Sequence, residues 1–600
     1  MLNIPPRSEV DPKYTWNAES VFATPDVWKQ AYDQASADLP AALTRYQGHL
    51  ADSPQALADW FDALGEMYHR VGHILFYALM SQSCETTSPE ANAMAGQASG
   101  LMGKFQAAAS FAEPELLALG EPTLREWIKN EPRLFYLEHY VDDLFRRQQH
   151  VRSAEVEELL GMVQEPFYQI DNTTEQLVSA EIPFRKAKSS AGEEVGVGQG
   201  NFMALYNSPD RELRRTAWES FADGYLAHKS TLASNYTASV KRDIFLARAR
   251  RFDTALEASL FQGSIPVEVF YNLVNTFKKN IPTWHRYWAV RRKALGVDKL
   301  YPYDIWAPIA KNKQSVSYEQ AIDWISEGLK PLGDEYVRVL RQGALQDRWI
   351  DVKPNQGKRQ GAFSFGWQGT YPFIMTSFHD DLESMSTVAH ELGHSMHSYF
   401  DWKTQPFVYA DYSLFVAEVA SNFNQAMVRA YLRNAQPDPD FQIALISEAM
   451  SNFHRYFFIM PTLARFELEI HTRIEQGKGV TAQDMISLMA DLFGEGYGSE
   501  MSYDRDQVGI TWAEFGHLFS NYYVFQYATG ISAAHALAAP ILAGKPGAAE
   551  DYVKFLSAGG SLYPLDALKL AGVDMTTPAA VEAAFGVLGD MVDRLEKLIG

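Results

Sequence analysis

Helix-start signals followed by helical spacing of apolar residues are the feature that most restricts the fold of this chain. Thr24-Pro25 and Ser53-Pro54 each put a capping side chain directly before a proline at the first helical position. Four later segments carry the same apolar spacing of three and four residues: 86–111, 114–145, 153–180 and 208–250. After Ser53 the spacing includes Leu57, Trp60, Phe61, Leu64, Met67 and Tyr68. The pattern predicts a mainly α fold.

A glycine-rich stretch, KSSAGEEVGVGQGNF (188–202), interrupts the helical pattern. It is typical of either a β-turn insertion or a boundary between two units. Its glycine spacing is not that of a dinucleotide-binding motif. We predict an N-terminal helical domain over 1–195 and a second domain over 196–600, which carries the candidate catalytic residues described below.

The stretch GAFSFGWQGTYPFIMTSF (361–378) is the clearest candidate for β-structure. Phe363, Phe365 and Trp367 alternate with small or polar residues, and Tyr371 to Phe378 is expected to form the partner strand after a turn. Prolines and glycines mark both strands as edge-like. We therefore predict a small sheet beside the helix that follows.

Charge and cysteine content exclude several classes of function. The chain has 53 Lys and Arg against 74 Asp and Glu, and the net charge of −21 is opposite to the basic footprint that nucleic acid requires. The single cysteine, Cys84, allows no internal disulfide and no cysteine cluster for a metal. The N-terminus lacks a signal-like apolar run, and stretches such as HILFYALM (73–80) are too short to cross a bilayer. We expect a cytoplasmic protein with no nucleic-acid or membrane partner.

The stretch TVAHELGHSMHSYF (387–400) concentrates three histidines and a glutamate. A helix is predicted here, beginning at a capping box in Asp380-Asp381-Leu382-Glu383 and running to about Tyr399. The apolar stripe of that helix falls opposite the histidines and contains Leu382, Met385, Ala389, Leu392, Met396 and Tyr399. We therefore expect the helix to be buried by one face and to present its histidines on the other.

His390 and His394 are four residues apart, so they stand one above the other on a helix. Both can bind one zinc ion at roughly 2.0–2.1 Å. Glu391 lies about 100° round the helix from His390. It can reach a water at the metal and take its proton, which is the general-base role in HExxH hydrolases. A chance HExxH is rare in a chain with 15 histidines, so a plain polar helix face is the weaker interpretation.

His397 does not fit as a third ligand. It lies about 10.5 Å along the helix axis from His390, which is too far for one ion on a straight helix. A contact with one of the metal ligands, a contact with substrate and a plain polar position all stay open for it. The longer HExxHxxGxxH pattern is absent, because His397 occupies its glycine position and Phe400 its last histidine.

The third ligand is expected from a second helix, SLFVAEVASNFNQAMVRAYLRN (413–434). Glu418 shares one face of it with Ser421, Asn422 and Gln425. A carboxylate among uncharged polar groups, with no Lys or Arg beside it, suits a cation. A solvated glutamate on an amphipathic helix is the alternative.

The segment HELGHSMH (390–397), taken with Glu418 in FVAEVASNFN, resembles the M3 family of zinc metallopeptidases and most nearly its oligoendopeptidase F branch. PPRSEVDPKYTWNAESVF, GAFSFG and YYVFQYATGISAAHAL are also similar to that branch. The resemblance implies one zinc ion per chain, held by His390, His394 and Glu418, with Glu391 as general base. It also implies a large helical zincin-type body whose deep channel admits short peptides and excludes folded proteins.

The resemblance further implies a cluster late in the chain that stabilises the transition state. In EFGHLFSNYYVFQYATG (514–530), His517, Tyr523 and Tyr527 match positions rich in His and Tyr, and Tyr522 is a neighbouring candidate for substrate contact. A donor among them could hydrogen-bond the developing oxyanion. An aromatic stripe that simply belongs to the core is the alternative.

Two positions depart from the pattern of the family. Gln425 stands seven residues after Glu418, where relatives commonly carry a second glutamate that can accept a hydrogen bond from a ligand histidine. An amide oxygen can still accept that bond, but without charge, so metal affinity could be lower. Phe525 stands where another tyrosine is usual, which removes one possible hydroxyl donor.

Under the same resemblance, the GAFSFG strand has a role in binding. An extended peptide can add to its edge by backbone hydrogen bonds. Gly361, Ala362 and Gly366 would allow the substrate backbone to approach closely. An ordinary hairpin is the alternative.

Three functions are compatible with these residues. The first is a cytoplasmic zinc endopeptidase acting on short peptides. The second is a zinc carboxypeptidase, which would need a cationic anchor for the substrate carboxylate. The third is a peptide-binding protein with a structural metal, a reading favoured only by Gln425 because three protein ligands plus water are typical of catalytic zinc. Ligand type favours zinc over cobalt or manganese without excluding them.

Overall fold

The computed structural model describes residues 4–600 and is mainly helical, as predicted. Its helices are α1 Pro25–Thr44, α2 Pro54–Cys84, α3 Pro89–Ala109, α4 Ala112–Leu119, α5 Glu121–Asn130, α6 Glu138–Gln148, α7 Ala154–Met162, α8 Gln164–Gln176, α9 Phe202–Tyr206, α10 Arg211–Ala227, α11 Lys229–Ala249, α12 Ala255–Phe261, α13 Val267–Leu295, α14 Tyr318–Leu329, α15 Asp334–Leu345, α16 Leu382–Thr404, α17 Leu414–Ala435, α18 Pro439–His454, α19 Met460–Glu475, α20 Ala482–Tyr497, α21 Arg505–Gly509, α22 Phe525–Leu542, α23 Ala548–Leu556, α24 Pro564–Leu570 and α25 Ala579–Ile599. Its strands are β1 Ala187–Lys188, β2 Glu194–Val195, β3 Ile350–Asp351, β4 Phe363–Phe365 and β5 Phe373–Met375.

The chain divides into two compact units, each built from three segments. The first unit contains Met1–Gln149, Ser315–Tyr431 and Pro540–Gly572. The second contains His150–Gln314, Leu432–Ala539 and Val573–Gly600. The boundary predicted at 195/196 lies inside the second unit, where β1 and β2 form a small antiparallel hairpin. The domain assignment over 1–195 and 196–600 stays a prediction.

The helix starts of the first unit follow the predicted capping chemistry. The Thr24 hydroxyl accepts a hydrogen bond from the backbone N–H of Val27, and the Ser53 hydroxyl accepts one from that of Ala56. Each bond satisfies a backbone donor that the helix itself leaves without a partner. Both helices begin at the prolines that the sequence indicated.

Large aromatic side chains form the core of the first unit around α2. Trp16 contacts Phe373 of β5 edge-on, with ring centroids 5.1 Å apart. Phe76 of α2 stacks on the same ring at 5.5 Å. Packing of α2 against the strand thus anchors the sheet that lies beside α16.

The sheet of the first unit has three strands in the order β3-β5-β4. The pair β4–β5 is antiparallel, with Phe363 opposite Met375, as predicted. β4 is an edge strand, but β5 is central, which corrects the expectation that both would be edge-like. β3 adds in parallel, with Ile350 opposite Ile374. Two residues are too short a strand for alternation to appear in a sequence.

α16 differs from its prediction in bounds and in burial. Asp381 is the N-cap, and its side chain accepts a hydrogen bond from the backbone N–H of Ser384. The helix therefore begins one residue later than a capping box at Asp380 requires, and it continues past Tyr399 to Thr404. The apolar stripe is buried as predicted except for Tyr399, which is half-buried, and His397 and Asp401 on other faces are buried as well. The helix is thus enclosed on more than one side.

Gly393 permits a close approach between α16 and α17. A Cβ atom at this position would lie 2.4 Å from the backbone oxygen of Ala420 and 2.6 Å from the Cα of Ser421. We expect Gly393→Ala to destabilise the protein by about 1–3 kcal/mol, because neither backbone atom can move without separating the helices. The shift of the urea unfolding midpoint measures this effect.

Gly103 in α3 provides the matched control. A Cβ atom there would meet nothing within 4 Å. Gly103→Ala should therefore stabilise the protein by about 0.5–1 kcal/mol, the intrinsic helix preference of alanine over glycine. Equal stability of the Gly393→Ala variant and the wild type would contradict the tight contact between the helices.

The core of the second unit is also aromatic. Trp284 and Trp288 of α13 stack at 5.7 Å, and both contact Phe458. Phe458 lies in a π-helical turn, Arg455–Ile459, between α18 and α19.

Within residues 4–600, no helix is both long and apolar enough to span a membrane.

Candidate metal centre

α16 and α17 bring the three predicted metal ligands together in the first unit. One donor atom from each of His390, His394 and Glu418 lies within 4.8 Å of the other two. The Oε2 atom of Glu418 is 3.4 Å from Nε2 of His390 and 4.0 Å from Nε2 of His394. Side chains 24 and 28 residues apart in sequence therefore converge on one point, because α16 and α17 pack together.

The donor set fits a zinc ion. Tetrahedral bonds of about 2.1 Å place neighbouring ligand atoms about 3.4 Å apart, close to the separations seen here. Burial lowers the pKa of His394 to about 4, so its imidazole is neutral near pH 7 and can donate a lone pair. Two histidines and one carboxylate leave a fourth position open, as in catalytic rather than structural zinc sites.

Glu391 is buried next to this group. Only 6 % of its surface is exposed. Burial raises the pKa of Glu391 to about 7, an effect opposed by the nearby His390 and reinforced by the Glu418 charge. The backbone amide of Ser364 in β4 also favours its charged form. A carboxyl with a pKa in this range can both take up and release a proton near neutral pH.

Gln425 contacts a predicted ligand directly. Its Oε1 atom lies 3.2 Å from Nδ1 of His390. Its Nε2 atom donates to the hydroxyl of Ser386 at 2.8 Å and faces the backbone oxygen of the same residue at 3.4 Å. An amide oxygen held in this way accepts the Nδ1 proton of His390 and leaves Nε2 free for a metal.

Replacing Gln425 by glutamate tests whether charge at this position tunes metal binding. We expect Gln425→Glu to bind zinc about 10-fold more tightly, because a carboxylate makes the ligand histidine more basic. Gln425→Ala should bind zinc about 10- to 100-fold more weakly. Competition with a chelator of known affinity at pH 7 measures both constants. Unchanged affinity in both variants would show that the contact with His390 does not matter to the metal.

His397 lies apart from the three-residue group. Its ring stacks on Tyr412, with centroids 3.6 Å apart and planes 2° from parallel. Only 1 % of the residue is exposed, and burial lowers its pKa to about 3. This enclosure gives the predicted substrate contact no support. Tyr412 itself was not singled out from the sequence, because a lone tyrosine in a loop carries no periodic signal.

Three residues predicted late in the chain cluster in the second unit. The hydroxyl oxygens of Tyr523 and Tyr527 are 2.8 Å apart. The His517 ring lies 6.0 Å from the Tyr523 ring and 5.7 Å from the Tyr527 ring. Partial desolvation and then the charge of Arg455 lower the pKa of His517.

Tyr522 and Phe525 point into the apolar core instead. Tyr522 is 1 % exposed and packs edge-on against Phe270 at 5.6 Å. Phe525 packs against the same ring at 5.3 Å. The burial of Tyr522 gives its predicted substrate contact no support. Phenylalanine at position 525 fits its apolar surroundings.

The strand residues predicted to meet a substrate differ from one another. Gly361 is exposed, has φ +87°, and has open space where a Cβ would project. Ala362, directly before β4, is partly exposed. A Cβ at Gly366 would come within 2.6 Å of Trp402 and 2.7 Å of the Tyr371 oxygen. Gly366 is therefore required by the packing of the protein itself.

Sequence reasoning missed the serines that hold this centre. Ser386 lies one turn before His390 and binds Gln425. Ser395 donates to the Pro372 oxygen at 3.0 Å and lies 2.8 Å from the hydroxyl of Ser364, which joins α16 to the sheet. The position of Ser386 one turn before His390 was an available signal, whereas nothing in the spacing marks Ser395.

Comparison with known proteins gives a consistent result. Residues 204–587 match the family model of peptidase family M3, and residues 115–184 match that of oligopeptidase F. The chain is 37 % identical over 598 residues to oligopeptidase PepF of Bacillus subtilis strain 168, covering 99 % of this chain and 89 % of that relative. It is 35 % identical over 593 residues to group B oligopeptidase PepB of Streptococcus agalactiae, covering 99 % and 98 %.

A solved structure shows the same fold. Oligoendopeptidase F from Enterococcus faecium superimposes with a TM-score of 0.74 at 29 % identity, covering 95 % of this chain and 99 % of that one. The family match spans more than half of the chain and includes the HExxH helix and Glu418. The chain therefore belongs to peptidase family M3, in its oligoendopeptidase F branch, and is a metallo-endopeptidase.

Proposed function

We propose that this protein is a zinc-dependent endopeptidase that hydrolyses internal bonds of short peptides. The observation that carries the proposal is the convergence of His390, His394 and Glu418, whose donor atoms lie within 4.8 Å of one another. Glu391 follows His390 on the same helix and is buried beside them.

Each residue of the centre has a distinct role. His390, His394 and Glu418 hold one zinc ion per chain. A zinc ion at this centre would polarise the peptide carbonyl and would make a water molecule acidic enough to lose a proton near pH 7. Glu391 takes that proton and then carries it to the leaving amine. Gln425 fixes the orientation of His390, because its Oε1 atom accepts the proton on the Nδ1 atom of that histidine.

His517, Tyr523 and Tyr527 are proposed as hydrogen-bond donors to the oxyanion. The 2.8 Å contact between the two hydroxyls supports this role, because the hydroxyl that accepts in this contact keeps its own proton for the oxyanion. The lowered pKa of His517 keeps its imidazole neutral near pH 7, with one N–H available to donate. Loss of one such donor typically costs 10²–10³ in kcat, that is, roughly 3–4 kcal/mol.

The edge of β4 is proposed to bind the substrate backbone. β4 is paired on one side only, by β5. Its free edge can accept an extended peptide, as in other cases of strand addition. Gly361 and Ala362, which precede the strand, would lie along that peptide. Backbone recognition of this kind makes little demand on side-chain identity.

Restriction to short peptides is proposed from the relatives, two of which are named as oligopeptidases. The test is mass spectrometry of products from a blocked peptide series of increasing length and from one folded protein. Internal cuts in the short peptides and an intact folded protein are expected. Stepwise loss of terminal residues would instead identify a carboxypeptidase, and zinc-loaded protein that binds peptides without products would identify a peptide-binding protein.

A further inference from the structure

The second unit contains a cavity of about 410 Å³ that the roles assigned above do not explain. The π-helical turn Arg455–Ile459 and the C-terminal part of α20 contribute to its walls. His517 and Tyr527 also line it. Because both are proposed donors to the reacting carbonyl, the cavity adjoins groups that act on substrate. A substrate side chain near the scissile bond could therefore enter it.

The walls of the cavity are largely aromatic. Six of the lining side chains are Tyr206, Trp218, Trp306, Phe493, Tyr497 and Phe515. Such walls bury the methylene stem of a long side chain, and their ring faces attract a cation. The walls alone would accept any large apolar side chain as well.

Glu514 gives this cavity its distinctive chemistry. Its side chain lines the cavity and is half-buried. Across residues 4–600, no side chain or backbone group forms an ion pair or hydrogen bond with its carboxylate. Burial, with no opposing charge, raises the pKa of Glu514 to about 8. A carboxyl in such surroundings is mostly protonated at pH 7, and it becomes charged when a ligand places a cation beside it.

The one cation in the lining, Arg455, does not fill this role. Arg455 contributes to lowering the pKa of His517 and of His454, in each case after burial. Within residues 4–600, Arg455 forms no ion pair or hydrogen bond with Glu514. Glu514 instead acts on Tyr206 and Tyr497, whose pKa values are raised first by burial and also by its charge. Glu514 and these two tyrosines line the same cavity.

We propose that this cavity is a subsite for a lysine or arginine side chain of the peptide substrate, with Glu514 as the residue that selects it. This inference rests on the proposed endopeptidase function. The ammonium or guanidinium group pairs with the Glu514 carboxylate, and the stem lies against the aromatic walls. The protein thus prefers peptides with a basic residue at one fixed position relative to the cut bond.

A side-chain scan tests the subsite directly. Peptides blocked at both ends carry either lysine or norleucine at each position in turn, and mass spectrometry gives the cut site and rate for each. Norleucine keeps the lysine stem but lacks the ammonium group. Lysine should raise kcat/KM by about 10-fold or more over norleucine at one position, as expected for a charge pair formed away from bulk water. A third series with free N-termini separates a side-chain ammonium from a terminal one.

Variants of Glu514 test whether this residue causes the preference for lysine over norleucine. Glu514→Gln should reduce the lysine-to-norleucine ratio to within about 2-fold of unity, and Glu514→Lys should favour glutamate at the same position. Glu469→Gln is the matched control, because Glu469 pairs with Arg473 on α19 and does not line the cavity. That variant should keep the lysine preference of the wild type.

The outcomes separate the two proposals. Absence of cleavage of every peptide would overturn the endopeptidase function itself. Cleavage with equal rates for lysine and norleucine at every position would overturn the subsite, as would a preference that persists in Glu514→Gln. Calorimetric binding of the same blocked peptides to the Glu391→Gln protein tests the subsite without turnover. Equal affinity for lysine and norleucine peptides there would also overturn it.

Discussion

Replacing Glu391 by glutamine lowers kcat by about 10³- to 10⁴-fold and leaves one zinc ion bound per chain. The expected loss is at the upper end of what a general base supplies, because no other carboxylate on α16 is buried beside the ligands. The glutamine side chain keeps the shape of glutamate but cannot accept the proton of the attacking water. Zinc should remain, because Glu391 is not among the three residues whose donor atoms converge.

Steady-state kinetics measure kcat, and elemental analysis of the same preparation measures the number of zinc ions bound per chain. Glu383→Gln is the matched control, since Glu383 is exposed and lies in the first turn of the same helix. Its kcat should stay within about 2-fold of the wild type, as for most surface changes. A Glu391→Gln protein that retains zinc and keeps full activity would remove Glu391 from the mechanism.

Removing any one of His390, His394 or Glu418 by an alanine substitution abolishes both zinc binding and turnover. Under the proposed function three protein ligands hold the ion, and the two that remain after a substitution would leave it mostly to solvent. Glu418 should matter as much as the histidines, because its Oε2 atom faces both of them at 3.4 and 4.0 Å. Mutating a residue that only contacts a metal ligand typically lowers metal affinity 10- to 100-fold. For loss of a ligand itself we therefore expect less than about a tenth of the wild-type zinc content after dialysis.

His379→Ala is the control for these ligand variants. His379 is exposed and lies three residues before α16 begins. It should retain one zinc per chain by elemental analysis. Full zinc content in His394→Ala, at unchanged affinity, would mean that the ion is held elsewhere.

The features of the site that depend on a single helix could be predicted from the sequence. The pair His390 and His394 depends only on four-residue spacing, which any helix converts into two stacked side chains. The helix itself was predicted from apolar periodicity, and the structure buries every residue of that stripe except the half-buried Tyr399. The predicted start of the helix was one residue too early, because Asp380 and Asp381 carry the same side chain and either could be the N-cap. Asp380 has φ +54°, whereas Asp381 has the extended backbone that an N-cap requires.

The features that depend on contacts between distant segments could not be predicted from the sequence. The burial of His397 comes from Tyr412 and from Phe555 of α23, more than 150 residues away in sequence. The central position of β5 depends on β3, a two-residue strand that carries no pattern. The cavity around Glu514 is likewise assembled from segments between positions 202 and 527. Periodicity describes one element at a time and contains no information on which elements meet.

Zinc titration of metal-free protein, with bound zinc and peptide products measured together, tests the central claim most directly. Metal-free protein is prepared with a chelator, and internal cleavage of a mixed set of blocked peptides is followed by mass spectrometry. We predict no cleavage without zinc, and a rise of bound zinc and of internal cleavage that both end at one zinc per chain. Cleavage by the metal-free protein, or one bound zinc without any product, would contradict a zinc endopeptidase built on His390, His394, Glu418 and Glu391.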